Sequence, residues 1–134
     1  MAVIGSEILP IHADSEVVMV RQRVRVWAVQ QGFSLVDQTK IVTAASELAR
    51  NVLVHGGGGT VRIEALNDAA RKGIKLTFED QGPGIPDLSL AMRDGFTTSG
   101  GLGLGLSGAK RLSNEFAIDS KVGEGTRVVI TRWK

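Results

Sequence analysis

The chain has 134 residues, no cysteine, 43% hydrophobic and 22% charged residues, and a formal net charge of +2. That length suits one domain, spanning 1–134, with a single real core. The lack of cysteine excludes disulfides and thiol chemistry, and no apolar run reaches the roughly 20 residues a membrane helix needs. The N-terminus shows no basic patch followed by an apolar stretch, so no secretory signal, no membrane partner and a cytoplasmic location are expected. Lysines and arginines are dispersed among acids and aromatics are few, which argues against a nucleic-acid partner. The one basic cluster, Arg21, Arg23 and Arg25, reads as a solvated helix face or as a partner-binding edge.

In chain order, residues 3–11 alternate loosely and suit an edge strand. Asp14 and Ser15 offer an N-cap to a first helix whose apolar stripe is Val17, Val20, Val24 and Trp27, stopped by Gly32. Ser34 followed by Asp37 resembles a capping box and opens a second helix through Ile41, Ala44, Leu48 and Val52, ending near Gly56. Residues 61–66 and 74–79 read as strands joined by a polar hairpin loop over 67–73. Beyond Asp80 the chain is loop-like to about Gly101, with a short helical turn at 88–93. A third helix follows at 102–112. Strands at 116–122 and 127–133 then close the chain around Gly123 and Gly125. Hairpin-joined strands with helices in separate blocks predict an α+β two-layer sandwich: a mixed, mostly antiparallel sheet with helices on one face.

Three segments bear groups suited to chemistry. Glu47 and Asn51, four residues apart on a helix, share one face beside the buried stripe of Leu48 and Val52. An amide oxygen suits a hard cation such as magnesium without adding charge beside phosphates, and a neighbouring carboxylate can orient or deprotonate a nucleophile. Taken alone, the pair is also what an ordinary polar helix face presents. Asp80 ends an apolar strand, where its carboxylate can accept from an exocyclic amine such as that of adenine. Gly82 and Gly84 allow close approach in the turn that Pro83 stiffens; a plain Asp-containing turn reads the same way. Gly100, Gly101, Gly103, Gly105 and Gly108 open the third helix and offer free backbone N–H groups to an anion. The letters of a dinucleotide fingerprint occur there, but not after the first strand of a βαβ unit, so that reading is set aside. No P-loop occurs, and His12 and His55 lack metal-ligand spacing.

Taken in this order, Glu47 and Asn51, Asp80 with Gly82 and Gly84, Gly101 with Gly103 and Gly105, and Gly125 with Thr126 resemble the Bergerat-fold ATPases of the GHKL superfamily over roughly 14–133. Size and the segment 110–116 are similar to the anti-sigma serine/threonine kinases, most of all the RsbT-type switch kinases. The resemblance implies ATP and Mg2+ as cofactors, with Asn51 holding the metal and Glu47 as general base. It implies Asp80 on the adenine amine, with Gly82 and Gly84 shaping that pocket. Gly101, Gly103 and Gly105 would lie at the phosphates, Thr126 would support the adenine together with a water, and a lid would span about 87–101. One departure is that no arginine precedes the glycine box in 97–101, so the γ-phosphate contact would come from elsewhere, or the lid would stay mobile until a partner docks. The implied activity is phosphorylation of a serine or threonine on a STAS-domain partner in bacterial stress signalling, with a PP2C-type phosphatase or a sigma factor as further partners. The alternative is a nucleotide-bearing module that sequesters or activates such a regulator with little transfer.

Overall fold

The computed structural model describes residues 2–87, 92 and 105–134. Its elements run β1 (Ala2–Ile11), α1 (Asp14–Gln30), α2 (Leu35–Val54), β2 (Gly59–Asp68), β3 (Arg71–Asp80), α3 (Gly105–Arg111), β4 (Glu115–Lys121) and β5 (Gly125–Trp133). The strands form one sheet in the order β1-β2-β3-β5-β4. Every neighbouring pair is antiparallel, so the mostly antiparallel sheet expected from the sequence has no parallel pair among the described residues. As expected, β1 is an edge strand; β4 forms the other edge.

The first helix buries Val17, Val20, Val24 and Ala28. Spacings of three and four residues keep these on one stripe. Trp27, expected on this stripe, packs partly buried against the core and donates from Nε1 to Glu7 Oε1 of β1 at 2.8 Å. Arg23 Nε joins the same carboxylate at 2.9 Å. The start of α1 differs from expectation: Ala13, in extended conformation, is the N-cap and makes no side-chain cap. Neither Asp14 nor Ser15 is the cap, and Glu16 of the first turn reaches back past Ala13, its Oε1 accepting from the His12 N–H at 2.7 Å.

In α2 the Ser34 side chain accepts from the Asp37 N–H at 3.2 Å, which is one half of a capping box. The other half is absent because the Asp37 carboxylate is taken by Arg132 of β5 at 2.8 Å. The helix buries Ile41, Ala44, Ala45, Leu48, Ala49 and Val52; its alanines let it lie close to its neighbours. Facing it are Val61 and Ile63 of β2, Ile74, Leu76 and Phe78 of β3, and Val128 and Ile130 of β5, all buried. Strand alternation places each set on one face, and each fully buried side chain of this size contributes about 1.5–3 kcal/mol. Helix α3 packs on α2.

The β2–β3 hairpin is tighter than the loop expected over 67–73. Pairing runs on to Asp68 with Arg71, an ion pair at 2.8 Å closes it, and only Ala69 and Ala70 lie in the turn. On the open face of the sheet Trp133 covers Gly73, where a Cβ would stand 2.5 Å from the ring. Arg71 stacks on the same ring at 4.1 Å from its centroid. Among the described residues no helix is long and apolar enough to cross a membrane. The helical turn expected at 88–93 (Met92 apart), most of the lid expected over 87–101, and residues 102–104 of the expected third helix lie outside the described residues.

Candidate active site

The C-terminal end of α2 and the C-terminal end of β3 are pressed together. Asn51, one turn from the end of α2, accepts at its backbone carbonyl from the N–H groups of His55 at 3.0 Å and Gly56 at 3.1 Å. That turn delivers Gly56 onto Asp80: a Cβ on Gly56 would lie 2.3 Å from Asp80 Cγ. Gly82 then packs on Gly56, its own Cβ position 2.7 Å from the Gly56 Cα. No residue with a side chain fits at 56 or 82 without moving the carboxylate or the backbone. The Asp80 carboxylate is oriented by the Gly82 N–H, which donates to Oδ1 at 2.9 Å. An ionised carboxylate accepts several hydrogen bonds, so one backbone donor leaves capacity for an amine.

Glu47 and Asn51 are both half-buried on α2, next to the buried Leu48 and Val52. The helix repeat therefore holds an acid and an amide on one face at the margin of the core, and the Gly56 contact brings the end of that helix to Asp80. Asp80 shares its strand face with Ile74, Leu76 and Phe78, and Thr126, its register partner on β5, shares a face with Val128 and Ile130. Both side chains accordingly lie on the helix-covered face at the end of the sheet.

The turn after Asp80 is bound to the β4–β5 hairpin. Gly84 has φ +78, and a Cβ there would meet the Lys121 carbonyl oxygen at 2.2 Å. Gly123 donates its N–H to the Pro83 carbonyl at 2.8 Å. Ser120 Oγ accepts from the Ile85 N–H at 2.8 Å and lies 2.8 Å from Thr126 Oγ1. A cleft of about 200 Å³ opens at this end of the sheet. It is lined by Asp80 and Thr126 and, from strand positions that alternate to the open face, by Glu79, Asp119, Lys121 and Arg127.

Gly105 is the first residue of α3, with φ +50; Gly101 and Gly103 lie outside the described residues. The far end of α3 is fixed by Arg132, whose Nη1 donates to the Leu112 carbonyl at 2.9 Å while Nη2 holds Asp37. The hydrogen bond from Arg132, against the opposing effect of burial, keeps the Asp37 carboxyl below its ordinary value. Lys110 and Arg111 occupy the last turn of α3, where cations complement the helix dipole.

Sequence reasoning missed two residues of this site. Gly56 was read only as the end of the second helix, at the head of a run of four glycines, 56–59, and Ser120 gave no signal. Among the described residues no group of three or more His, Asp or Glu is arranged to hold a metal unaided. The donor set is instead one acceptor at the sheet end, one amide with one acid on the adjoining helix, and glycine backbone that permits close approach. That set fits a purine nucleotide better than a bare ion.

Known proteins are similar to this chain. The family described as histidine kinase-, DNA gyrase B- and HSP90-like ATPases matches residues 36–134. The serine/threonine-protein kinase RsbT of Bacillus subtilis is 50% identical over 123 residues, 92% of each chain. An anti-sigma F factor of Bacillus licheniformis is 35% identical over 104 residues, covering 72% of this chain and 69% of that protein. The crystal structure of the RsbU and RsbW domains of Rv1364c from Mycobacterium tuberculosis superposes with a TM-score of 0.63 at 22% identity. It covers 96% of this chain, which spans 33% of that one, and at this identity it speaks for the fold alone. The chain belongs to the histidine kinase-, DNA gyrase B- and HSP90-like ATPase family, in its group of serine/threonine-protein kinases and anti-sigma factors.

Proposed function

We propose that this serine/threonine kinase, acting in the cytoplasm as a single domain over residues 1–134, transfers the γ-phosphoryl group of ATP to a serine or threonine of a STAS-domain partner. The observation that carries the reading is the packing of Gly56 on Asp80, whose Oδ1 accepts from the Gly82 N–H. It sets an oriented hydrogen-bond acceptor where the helix bearing Glu47 and Asn51 meets the sheet.

In this reading Asp80 accepts from the adenine amine, and Gly82 and Gly84 give the base close access to the backbone. Thr126 supports the same base from β5. Asn51 supplies an amide oxygen to Mg2+, which, when bound, offsets the charge of the phosphates. Gly101, Gly103 and Gly105 offer backbone N–H groups to those phosphates. Glu47 takes the proton of the partner hydroxyl as that oxygen bonds to phosphorus, and ADP leaves. Positioning and charge stabilisation do most of the work in such transfers. A PP2C-type phosphatase or a sigma factor is a further partner in the same reading.

Calorimetry with Mg·ATP tests the site: binding by the native chain and its strong loss in Asp80→Asn are expected, and a flat native titration on folded protein overturns the reading. Incubation with a STAS-domain protein and labelled ATP tests the activity. Covalent label on a partner serine or threonine is the expected result. A stable complex without label would instead favour the sequestering module, a role in keeping with the anti-sigma F factor relative.

A further inference from the structure

We propose that Ser120 is a positioning residue that fixes the hydrogen-bond polarity of Thr126 and thereby makes the site select a 6-aminopurine over a 6-oxopurine. The inference rests on the nucleotide reading above and extends it to a residue outside the family motifs named so far.

Ser120 Oγ has three polar neighbours: the Ile85 N–H at 2.8 Å, Thr126 Oγ1 at 2.8 Å and the Gly125 carbonyl at 3.2 Å. A hydroxyl carries one proton and two lone pairs. The Ile85 N–H can only donate and the Gly125 carbonyl can only accept. All three contacts are satisfied together in one arrangement: Ser120 accepts from Ile85, donates to Gly125, and accepts the proton of Thr126. Ser120 and Thr126 are half-buried, and this is the arrangement that leaves none of these protein partners unpaired.

The consequence falls on Thr126. With its proton committed to Ser120, its oxygen presents only lone pairs. Thr126 is the register partner of Asp80, whose carboxylate likewise only accepts. The sheet end is therefore an acceptor pair. A 6-amino group brings two N–H donors to such a pair, whereas a 6-oxo group brings a third acceptor and leaves it unpaired. Without Ser120 the Thr126 proton is released, the hydroxyl can turn and donate, and a 6-oxo group is no longer rejected by it.

The test is calorimetric titration of the native chain, Ser120→Ala, Thr126→Val and the double variant with Mg·ATP and Mg·ITP, which differ at position 6 and the adjoining ring nitrogen. The native chain is expected to prefer ATP, and Ser120→Ala is expected to narrow that preference by about fivefold to tenfold, the scale of one hydrogen bond. In the Thr126→Val background the serine change is expected to have no further effect on the ratio, which a loss of packing alone would not produce. Ser120→Cys, which keeps the side-chain shape but hydrogen-bonds weakly, is the variant to read if alanine does not fold. An unchanged ratio in a Ser120 variant that still binds ATP overturns the inference and leaves the nucleotide site standing. So does a change that persists without the Thr126 hydroxyl. A native chain that binds neither nucleotide overturns both.

Discussion

Gly56 stands directly against the carboxylate of Asp80, so close that a Cβ on it would lie 2.3 Å from Asp80 Cγ and 2.6 Å from Oδ2. This contact joins two parts of the chain that each carry half of the proposed site. The helix just before Gly56 bears Glu47 and Asn51; the strand ending at Asp80 bears the acceptor at the sheet mouth. Asp80 is short, and its atoms nearest that position include Cβ and Cγ, so it has little freedom to withdraw. Gly56→Ala is therefore expected to displace the carboxylate, weaken Mg·ATP binding by at least about tenfold and cost about 1–3 kcal/mol of stability. Calorimetry and thermal melting read the two effects separately.

In the proposed reading Glu47 acts on the incoming hydroxyl and not on the adenine. Glu47→Gln keeps the size and polarity of the side chain but cannot take a proton. Partner phosphorylation is expected to fall about 10²- to 10⁴-fold while ATP affinity stays near that of the native chain. Single-turnover transfer from labelled ATP checks this, and a native rate in the variant would remove Glu47 as the base.

Arg132 ties three elements together through Asp37 and the Leu112 carbonyl. Its side chain is 13% exposed and that of Asp37 27%, so solvent screens the pair only in part. Arg132→Met is expected to destabilise the fold by about 1–3 kcal/mol, because it strands a carboxylate and a carbonyl. Chemical denaturation measures it.

The same pair gives an acid limb to stability. The folded chain holds the Asp37 carboxyl below its ordinary 3.8, so the unfolded chain binds protons more readily and stability rises with pH through that range. The contribution is complete above about pH 5 and is lost as pH falls through the folded value. Asp37→Asn is expected to flatten the denaturation profile between about pH 5 and pH 3. An unaltered profile would assign the acid limb to other carboxylates, Glu7 among them. Burial raises the Glu7 carboxyl, but hydrogen bonds from Trp27 and Arg23 outweigh it and lower it overall.

Ala69 has φ +51 in the β2–β3 turn, a conformation that costs an L-residue roughly 1–2 kcal/mol. Ala69→Gly removes that strain but adds freedom to the unfolded chain. The expected balance is a gain of about 0.5 kcal/mol, read as a small rise in melting temperature.

Much of this architecture was legible in the sequence because it depends on neighbours along the chain. The periodicity of Val17, Val20 and Val24 specified α1, that of Ile41, Ala44, Leu48 and Val52 specified α2, and the second of these repeats put Glu47 and Asn51 on one face. The errors were also local. Asp14 and Ser15 suit an N-cap by residue type, yet Ala13 is the N-cap of α1. The polar loop expected over 67–73 shrank to two residues because the Asp68–Arg71 ion pair extends the ladder.

What the sequence alone determined was which segments become helices and strands, and which side chains share a face of each. Those follow from a repeat of 3.6 or 2 residues and need no partner. The tertiary structure decided which faces meet. Arg132 finds Asp37 across 95 positions, Ser120 finds Ile85 across 35, and Gly56 meets Asp80 because β2 and β3 pair in one register. Strand order and register arise from the packing of the whole core, and no local repeat encodes them.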